Sequence, residues 1–159
     1  MRDAQRDRFF MEAAIEEAKK CALLDEVPVG AVVVRDNKII STSGNSRETE
    51  KDATCHAECN AIRRASRLLG GWRLVDCELF VTLEPCIMCA GAIVNARVPT
   101  VIIGARDPKA GAFGSLCDVN SLSVNHHPQL VFGVMEEECA NLLRLFFKEK
   151  RERGIRWKK

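Results

Sequence analysis

Two short segments of the 159-residue sequence contain side chains that can bind a metal and move protons. The first contains His56 and Glu58, and the second contains Cys86 and Cys89. Cys86 and Cys89 are three residues apart, so on a helix both sulfurs face the same way, which suits chelation of one metal ion. His56 would supply a third ligand. Three protein ligands and one open position are typical of catalytic zinc, whereas structural zinc usually has four protein ligands.

Glu58 lies two residues after His56, near the start of the same predicted helix. Its carboxylate could reach a metal-bound water rather than the metal itself, which suits a residue that transfers protons. Binding to zinc lowers the pKa of water from about 15.7 to about 7. The two segments therefore predict a zinc hydrolase in which His56, Cys86 and Cys89 bind the metal and Glu58 is the general acid and base.

These residues must be positioned by helices and strands that hydrophobic periodicity and turn residues predict. Helices are predicted at about 7–24, 55–69, 86–96 and 135–152, and strands at 30–35, 38–41, 78–82, 101–105 and 130–134. The polar segment 44–53 is predicted to be a loop. His56 and Cys86 then lie at helix starts, where the partial positive charge of the N-terminus favours a thiolate.

The predicted strands are apolar on both faces, so their sheet needs helices on both sides. We therefore expect a single α/β domain over residues 1–159, built in three layers. Glu16 is expected to pair with Lys20 on the first helix. The side chains predicted to face the core from the first, second and last helices are Phe10, Ala14, Ala18, Cys21, Ala61, Ala65, Leu68, Leu69, Cys139, Leu142, Leu143 and Phe146.

Composition and charge exclude several classes of protein. With 47% hydrophobic and 29% charged residues, the chain is not disordered, collagen-like or a coiled coil. It has no apolar run long enough for a membrane span and no apolar leader, so we expect a cytoplasmic protein. Residues 148–159 contain seven basic and two acidic side chains, which would either contact a phosphate backbone or form a solvated helix end.

The pattern His-x-Glu followed by Pro-Cys-x-x-Cys is the signature of zinc-dependent nucleobase deaminases. Around this signature, the sequence resembles the bacterial tRNA-specific adenosine deaminases from about residue 8 to residue 150. The segments that carry the resemblance are 27–32, 56–58, 81–92, 104–111 and 114–116, together with Asn45, Phe146 and Phe147.

The resemblance implies a cytidine-deaminase-like fold with three α/β/α layers, a mixed five-stranded sheet and a homodimer. It implies one Zn²⁺ per chain and hydrolytic deamination of the wobble adenosine, position 34, of an arginine tRNA to inosine. Water activated by zinc would attack C6 of the adenine, while Glu58 would move the proton to N1 and assist the departure of ammonia. A single-stranded anticodon loop suits this reaction because the base must leave its stack.

The resemblance also implies a set of substrate contacts around the reacting base. The candidate substrate-binding residues are Asn45, Pro28, Val29, Ala57, Asp107, Lys109 and His126. Asn45 would hydrogen-bond the flipped nucleotide, and Pro28 and Val29 would form part of the pocket wall. Asp107 would contact the ribose 2′-OH and so favour RNA over DNA. His126 is either a substrate contact or a histidine that serves only its own loop.

Eight cysteines in this chain need separate explanations. Cys21, Cys77, Cys117 and Cys139 are expected to be small buried apolar residues. Cys55 and Cys59 flank the His-Ala-Glu core, where similar proteins usually have alanine and an aliphatic residue. A fourth metal bond from Cys55 would make the site structural and inert.

Two other functions remain compatible with the sequence. The same zinc chemistry could act on a free base or nucleoside of the guanine or cytosine type. A silent, zinc-stabilised RNA-binding scaffold is the other alternative. Asn45, the loop at 106–109 and the basic tail favour a polynucleotide substrate, and Glu58 favours an enzyme, because a scaffold has no need of a carboxylate there.

Overall fold

The computed structural model describes residues 2–154, which contain five helices and five strands. The helices are α1 (Ala4–Leu23), α2 (Arg47–Glu50), α3 (Ala57–Leu69), α4 (Ile87–Asn95) and α5 (Glu136–Glu152). The strands are β1 (Gly30–Arg35), β2 (Lys38–Gly44), β3 (Cys77–Leu83), β4 (Thr100–Ala105) and β5 (Gln129–Phe132), with a 3₁₀ turn at Val119–Ser121. Within this part of the chain, no helix has the length and apolar character to cross a membrane.

The strands form one mixed sheet in the order β2-β1-β3-β4-β5. Strand β1 is antiparallel to β2 and β3, whereas β3, β4 and β5 run parallel to one another. Helices α1 and α5 pack on one face of the sheet, and α3 and α4 cover the other. This confirms the expected three-layer α/β/α fold around a mixed five-stranded sheet.

Alternate residues of the central strands face opposite helix layers, as the pleat of a strand requires. In β1, Ala31 and Val33 belong to the core under α3 and α4, whereas Val32 and Val34 pack against α1 and α5. Phe80 of β3 lies in the second of these cores and is fully buried. Because both faces are covered, these strands contain continuous apolar runs.

The backbone segments that carry the candidate site lie together at one edge of the sheet, where the ends of neighbouring strands meet. The parallel strands β3 and β4 both end at this edge, and the antiparallel strands reverse so that β1 begins there and β2 ends there. Gly30 pairs with Gly44, and the Gly30 N–H donates to the Thr82 hydroxyl at 3.1 Å. Residues 45, 84–86 and 106–107 follow these strand ends and therefore lie near one another.

The short helix α2 lies in the segment that was predicted to be a loop. Four residues are too few to show helical periodicity, so nothing in the sequence indicates this helix. The buried carboxylate of Glu26 accepts hydrogen bonds from the backbone N–H groups of Glu48 and Thr49, at 3.2 and 2.6 Å. This contact fixes α2 beside the strand edge.

Eight of the twelve side chains predicted to face the core are buried. On α3 the buried face continues from Ala65 at a spacing of four residues to Leu69, which is half-buried, and Leu68 is therefore 64% exposed. Leu142 and Leu143 are also half-buried. Lys20 pairs with Glu17, at 2.8 Å, and not with Glu16.

Part of the basic segment 148–159 has a structural role. The side chain of Lys150 is buried, its Nζ lies 2.6 Å from Oδ2 of Asp25, and it stands over the ring of Phe146. Residues 155–159 lie outside the described residues, so contact of this tail with a phosphate backbone stays a prediction.

A Gly30→Ala substitution is expected to lower the free energy of unfolding by about 2 kcal/mol. A Cβ atom at Gly30 would overlap the carbonyl oxygen of Ala14 and lie 2.7 Å from the backbone nitrogen of Ala18, so α1 would have to move away from the sheet. Urea unfolding measures the effect. Gly71→Ala is the matched control because a Cβ there meets nothing within 4 Å, and equal midpoints for the two variants would contradict the prediction.

Candidate metal and catalytic site

Two helix starts bring the candidate metal ligands together. His56 precedes the first residue of α3, Cys86 precedes the first residue of α4, and Cys89 lies in the first turn of α4. Nδ1 of His56 is 3.6 Å from Sγ of Cys86 and 3.7 Å from Sγ of Cys89. A tetrahedral zinc with Zn–N and Zn–S bonds of about 2.1 and 2.3 Å would place these donor atoms about 3.6 Å apart. The donors therefore fit zinc in kind and in spacing.

Among residues 2–154, this is the one group of three or more His, Cys, Asp or Glu side chains whose donor atoms could hold a metal. Cys55 is buried but is not part of the group. The cluster therefore offers three protein donors, which is the arrangement that leaves one position for water or substrate.

The thiols and the imidazole of this cluster perturb one another. A hydrogen bond with Cys89, helped by one with His56, lowers the pKa of Cys86 to about 4. The hydrogen bond with Cys86 in turn raises the pKa of His56. Cys86 is thus a thiolate at neutral pH, and the thiolate is the form in which cysteine binds a metal.

Glu58 lies in the first turn of α3 and is 4% exposed. Burial disfavours its ionised form and raises the pKa of its carboxyl to about 7. A carboxyl with a pKa near neutrality can accept and return a proton in the same catalytic cycle. This is the property that a general acid and base requires.

A pocket of about 140 Å³ opens beside these residues. Its lining includes the apolar residues Val27, Val29, Ala57 and Leu83 together with the carboxyl of Glu58 and the amide of Asn45. The Asn45 side chain donates to the carbonyl oxygen of Val27 at 3.2 Å and accepts from the N–H of Arg47 at 3.2 Å. Asn45 therefore holds two walls of the pocket together.

The predicted substrate contacts divide into two groups. Val29, Asn45, Ala57 and Asp107 line the pocket together with His56, Glu58 and Cys86. The structure does not bring Pro28, Lys109 and His126 into the lining. Pro28 is buried in the wall between Val27 and Val29, and Lys109 is exposed at the turn after Asp107. Nε2 of His126 lies 2.6 Å from the carbonyl oxygen of Val98, in the segment between α4 and β4.

Arg47 and Glu84 line the pocket but received no role from the sequence. Arg47 belongs to α2, which has no sequence signal. Glu84 stands within the Glu-Pro-Cys block, so the sequence placed it near the site. The sequence did not indicate which groups its carboxylate would contact. Only the fold shows that the loop after β4 returns to this carboxylate.

Glu84 is 2% exposed and binds that loop at several points. It accepts hydrogen bonds from the backbone N–H groups of Asp107, Phe113 and Ser115, at 3.0, 3.1 and 3.1 Å, and from the Ser115 hydroxyl. Burial by itself raises the pKa of Glu84, but these hydrogen bonds outweigh burial and the pKa is lowered. Glu84 therefore ties the loop that carries Asp107 to a point two residues before Cys86.

The other cysteines are mostly as predicted. Cys21, Cys77 and Cys139 are buried, whereas Cys117 is exposed on the loop before the 3₁₀ turn, so the expectation that it is buried is wrong. Sγ of Cys59, on the first turn of α3, lies 3.7 Å from Sγ of Cys89.

Residues 4–105 match the family model of the cytidine and deoxycytidylate deaminase zinc-binding region. The chain belongs to this deaminase family. The deaminase is 47% identical over 148 residues to the tRNA-specific adenosine deaminase of Bacillus subtilis (strain 168), with 92% of each chain covered. It is 48% identical over 143 residues to the protein of the same name from Agrobacterium fabrum, with 89% of this chain and 94% of the relative covered. The predicted family is confirmed.

Solved structures of relatives agree with the fold of this deaminase. A chain from a study of A-to-I editing by tRNA:A34 deaminases superposes with a TM-score of 0.81 at 44% identity, covering 85% of this chain and 99% of that one. Guanine deaminase from Bacillus subtilis gives a TM-score of 0.60 at 40% identity, covering 62% of this chain and 63% of its own.

Proposed function

We propose that this deaminase is a zinc-dependent tRNA adenosine deaminase that converts the wobble adenosine, position 34, of an arginine tRNA to inosine. The observation that carries the proposal is the placement of the buried Glu58 carboxyl in the same small pocket as His56 and Cys86, two members of the three-donor group. The similarity to tRNA-specific adenosine deaminases along nine-tenths of the chain supports the substrate.

In this proposal, His56, Cys86 and Cys89 hold the metal, and zinc, when bound, supplies the Lewis acidity that activates water. Glu58 accepts the proton of the attacking water and delivers it to the ring nitrogen next to the reacting carbon. It then transfers a proton to the departing amine. Burial raises the pKa of the Glu58 carboxyl towards neutrality, which suits a group that both accepts and returns a proton.

The lining of the pocket supports a flipped base as the reacting group. His56, Glu58 and Cys86 line one pocket, so an adenine must leave its stack to reach them. Unstacking costs least in a single-stranded loop, which makes an anticodon loop a suitable substrate. Arg47 at the pocket would add a positive charge that attracts the phosphate backbone.

The deciding experiment measures ammonia release and maps inosine on an arginine tRNA with adenosine at position 34. Free adenosine, cytidine and guanine are assayed beside it, and Glu58→Gln protein is the blank. Inosine at position 34 alone, absent from the blank, would support the proposal. Turnover of a free base alone would replace it with a base deaminase, and zinc binding without any turnover would favour the scaffold.

We propose that Asp107 selects RNA through a contact with the ribose 2′-OH. Its Oδ1 accepts hydrogen bonds from the N–H groups of Lys109 and Ala110, at 3.0 and 3.3 Å, so the carboxylate is held at the mouth of the pocket. Asp107→Asn retains this acceptor and removes the charge. We expect the variant to raise activity on single-stranded DNA relative to RNA of the same sequence, and an unchanged ratio would refute this role.

We further propose a homodimer in the cytoplasm, with residues 1–159 of each subunit as one catalytic domain. Apolar side chains remain exposed beside the start of α4, where Ile87 is 68% and Leu116 is 63% exposed. The Leu116 N–H donates to the carbonyl oxygen of Gly111, which pairs with Cys86, so Leu116 lies close to α4. Exposed apolar surface of this kind is typical of a protein interface.

A Leu116→Asp substitution is expected to weaken this dimer because it places a charge in the apolar contact. Light scattering should give twice the 17.7 kDa chain mass for the unmodified protein and a mass near that of one chain for the variant at micromolar concentration. Leu68→Asp, at an equally exposed leucine on α3, is the control. Loss of the dimer in both variants, or in neither, would contradict this interface.

A further inference from the structure

We propose that Cys59 and Cys89 form an oxidation site at the metal centre, at which a hydroperoxide converts the two sulfurs into a disulfide and releases the zinc. The inference rests on the zinc site of the proposed function. Cys59 is the third residue of α3, Cys89 is the third residue of α4, and their Sγ atoms are 3.7 Å apart.

The geometry needs little change for this bond to form. A disulfide has an S–S distance of about 2.05 Å, so the two sulfurs must approach by about 1.7 Å in total, a movement that rotation of two side chains can share. Both residues lie in the first turns of helices that pack against each other. Cys89 is fully buried and Cys59 is half-buried, so a small oxidant has access from the Cys59 side.

Cys59 differs from the other sulfurs at the centre because it is not one of the metal donors. The donor group contains His56, Cys86 and Cys89, and Cys59 touches it through Cys89. A free thiol beside a ligand can capture an oxidised ligand sulfur before further oxygen is added. Without such a partner, cysteine oxidation proceeds to the sulfinic acid, which thiol reductants do not reverse.

The reaction balances with one hydroperoxide molecule per disulfide. One sulfur of the pair, as its thiolate, attacks one peroxide oxygen, the O–O bond breaks, and that sulfur becomes a sulfenic acid while the second oxygen leaves as hydroxide. The thiol of the other cysteine then attacks the sulfenic sulfur, the S–O bond breaks, and a second hydroxide leaves. The thiol proton and one proton from solvent convert both hydroxides to water, so two sulfurs lose two electrons and the peroxide gains them. With Cys89 in the disulfide, only His56 and Cys86 of the donor group would remain to hold zinc, so we expect the metal to be released.

The test treats zinc-loaded and zinc-free protein with hydrogen peroxide, without RNA, and maps the cysteines by mass spectrometry after alkylation. We expect a linked pair of peptides containing Cys59 and Cys89, with zinc release measured by a chromogenic chelator. Dithiothreitol followed by zinc should restore the zinc content. A disulfide between Cys86 and Cys89, or Cys59 recovered as an unmodified thiol from oxidised protein, would overturn the proposal.

A Cys59→Ser variant provides the second arm. It should give no linked pair, accumulate sulfinic acid at Cys89, and recover at least about tenfold less zinc after reduction, since the sulfinic acid is irreversible. Cys117→Ser, which removes an exposed cysteine outside the site, should behave like the unmodified protein. Equal recovery in both variants would refute the role of Cys59. The zinc-free arm involves neither metal nor turnover. Its result therefore tests the disulfide even if the protein does not deaminate tRNA.

Discussion

A Glu58→Gln protein is expected to deaminate its substrate about 10²–10⁴-fold more slowly than the unmodified protein, with its zinc content unchanged. Glutamine has nearly the same shape, so the start of α3 and the position of His56 should be retained. What the substitution removes is the buried carboxyl whose pKa burial raises to about 7. Single-turnover kinetics on saturating RNA isolate this step.

The control for this experiment is Glu50→Gln, the same substitution at an exposed position at the end of α2. It should retain the full rate, and metal analysis should show equal zinc in all three proteins. A Glu58→Gln rate within threefold of the control would mean that another group transfers the proton. A low rate accompanied by lost zinc would instead show that Glu58 acts on the metal site.

Removal of the Glu84 side chain is expected to cause the second large effect. In Glu84→Ala, the buried N–H of Phe113 and the N–H groups of Asp107 and Ser115 lose their acceptor, which should lower the free energy of unfolding on the order of 4 kcal/mol. The loop that carries Asp107 should also loosen, so the KM for RNA should rise more than kcat falls. Hydrogen exchange of these amides, with urea unfolding, measures both consequences.

The pH dependence of Glu84→Gln gives a sharper version of the same test. Since folding lowers the pKa of Glu84, the ionised carboxylate stabilises the protein above its ordinary pKa of 4.5, and this contribution is lost as the pH falls through the lower folded-state value. The stability difference between unmodified protein and Glu84→Gln should therefore be largest near pH 7 and shrink below about pH 4.5. A difference that grows on acidification would show that the carboxyl is not ionised in the folded state.

The sequence was sufficient for the fold because its main elements repeat a simple pattern over many residues. Helix α1 buries Phe10, Ala14, Ala18 and Cys21 at helical spacing, and the central strands are unbroken apolar runs. Signals of this kind depend only on neighbours in the chain. The short helix α2 has no such repeat, since it is held by Glu26, more than twenty residues away.

Only part of the candidate site could be predicted from the sequence, because some of its contacts join residues that are far apart in the chain. The spacing of Cys86 and Cys89, and of His56 and Glu58, is local and could be interpreted from the chain alone. That Glu84 binds the backbone of residues 107–115, or that Arg47 reaches the pocket, depends on which strand ends meet at one edge of the sheet. His126 was a candidate substrate contact because of its position in the sequence, but in the structure its Nε2 lies 2.6 Å from the carbonyl oxygen of Val98.

The metal donors lie at helix starts and a pocket residue, Asp107, lies on a loop, and this difference affects which mutations the protein can tolerate. The metal donors lie at the beginnings of α3 and α4, whose packing on the sheet fixes them, whereas residues 106–110, which include Asp107, are exposed or half-buried at the start of the connection after β4. Mutations in that connection can alter which base enters without disturbing the reacting centre, because loops tolerate replacement better than packed helices. New substrate preferences could therefore arise in a lineage while the hydrolytic chemistry is inherited unchanged.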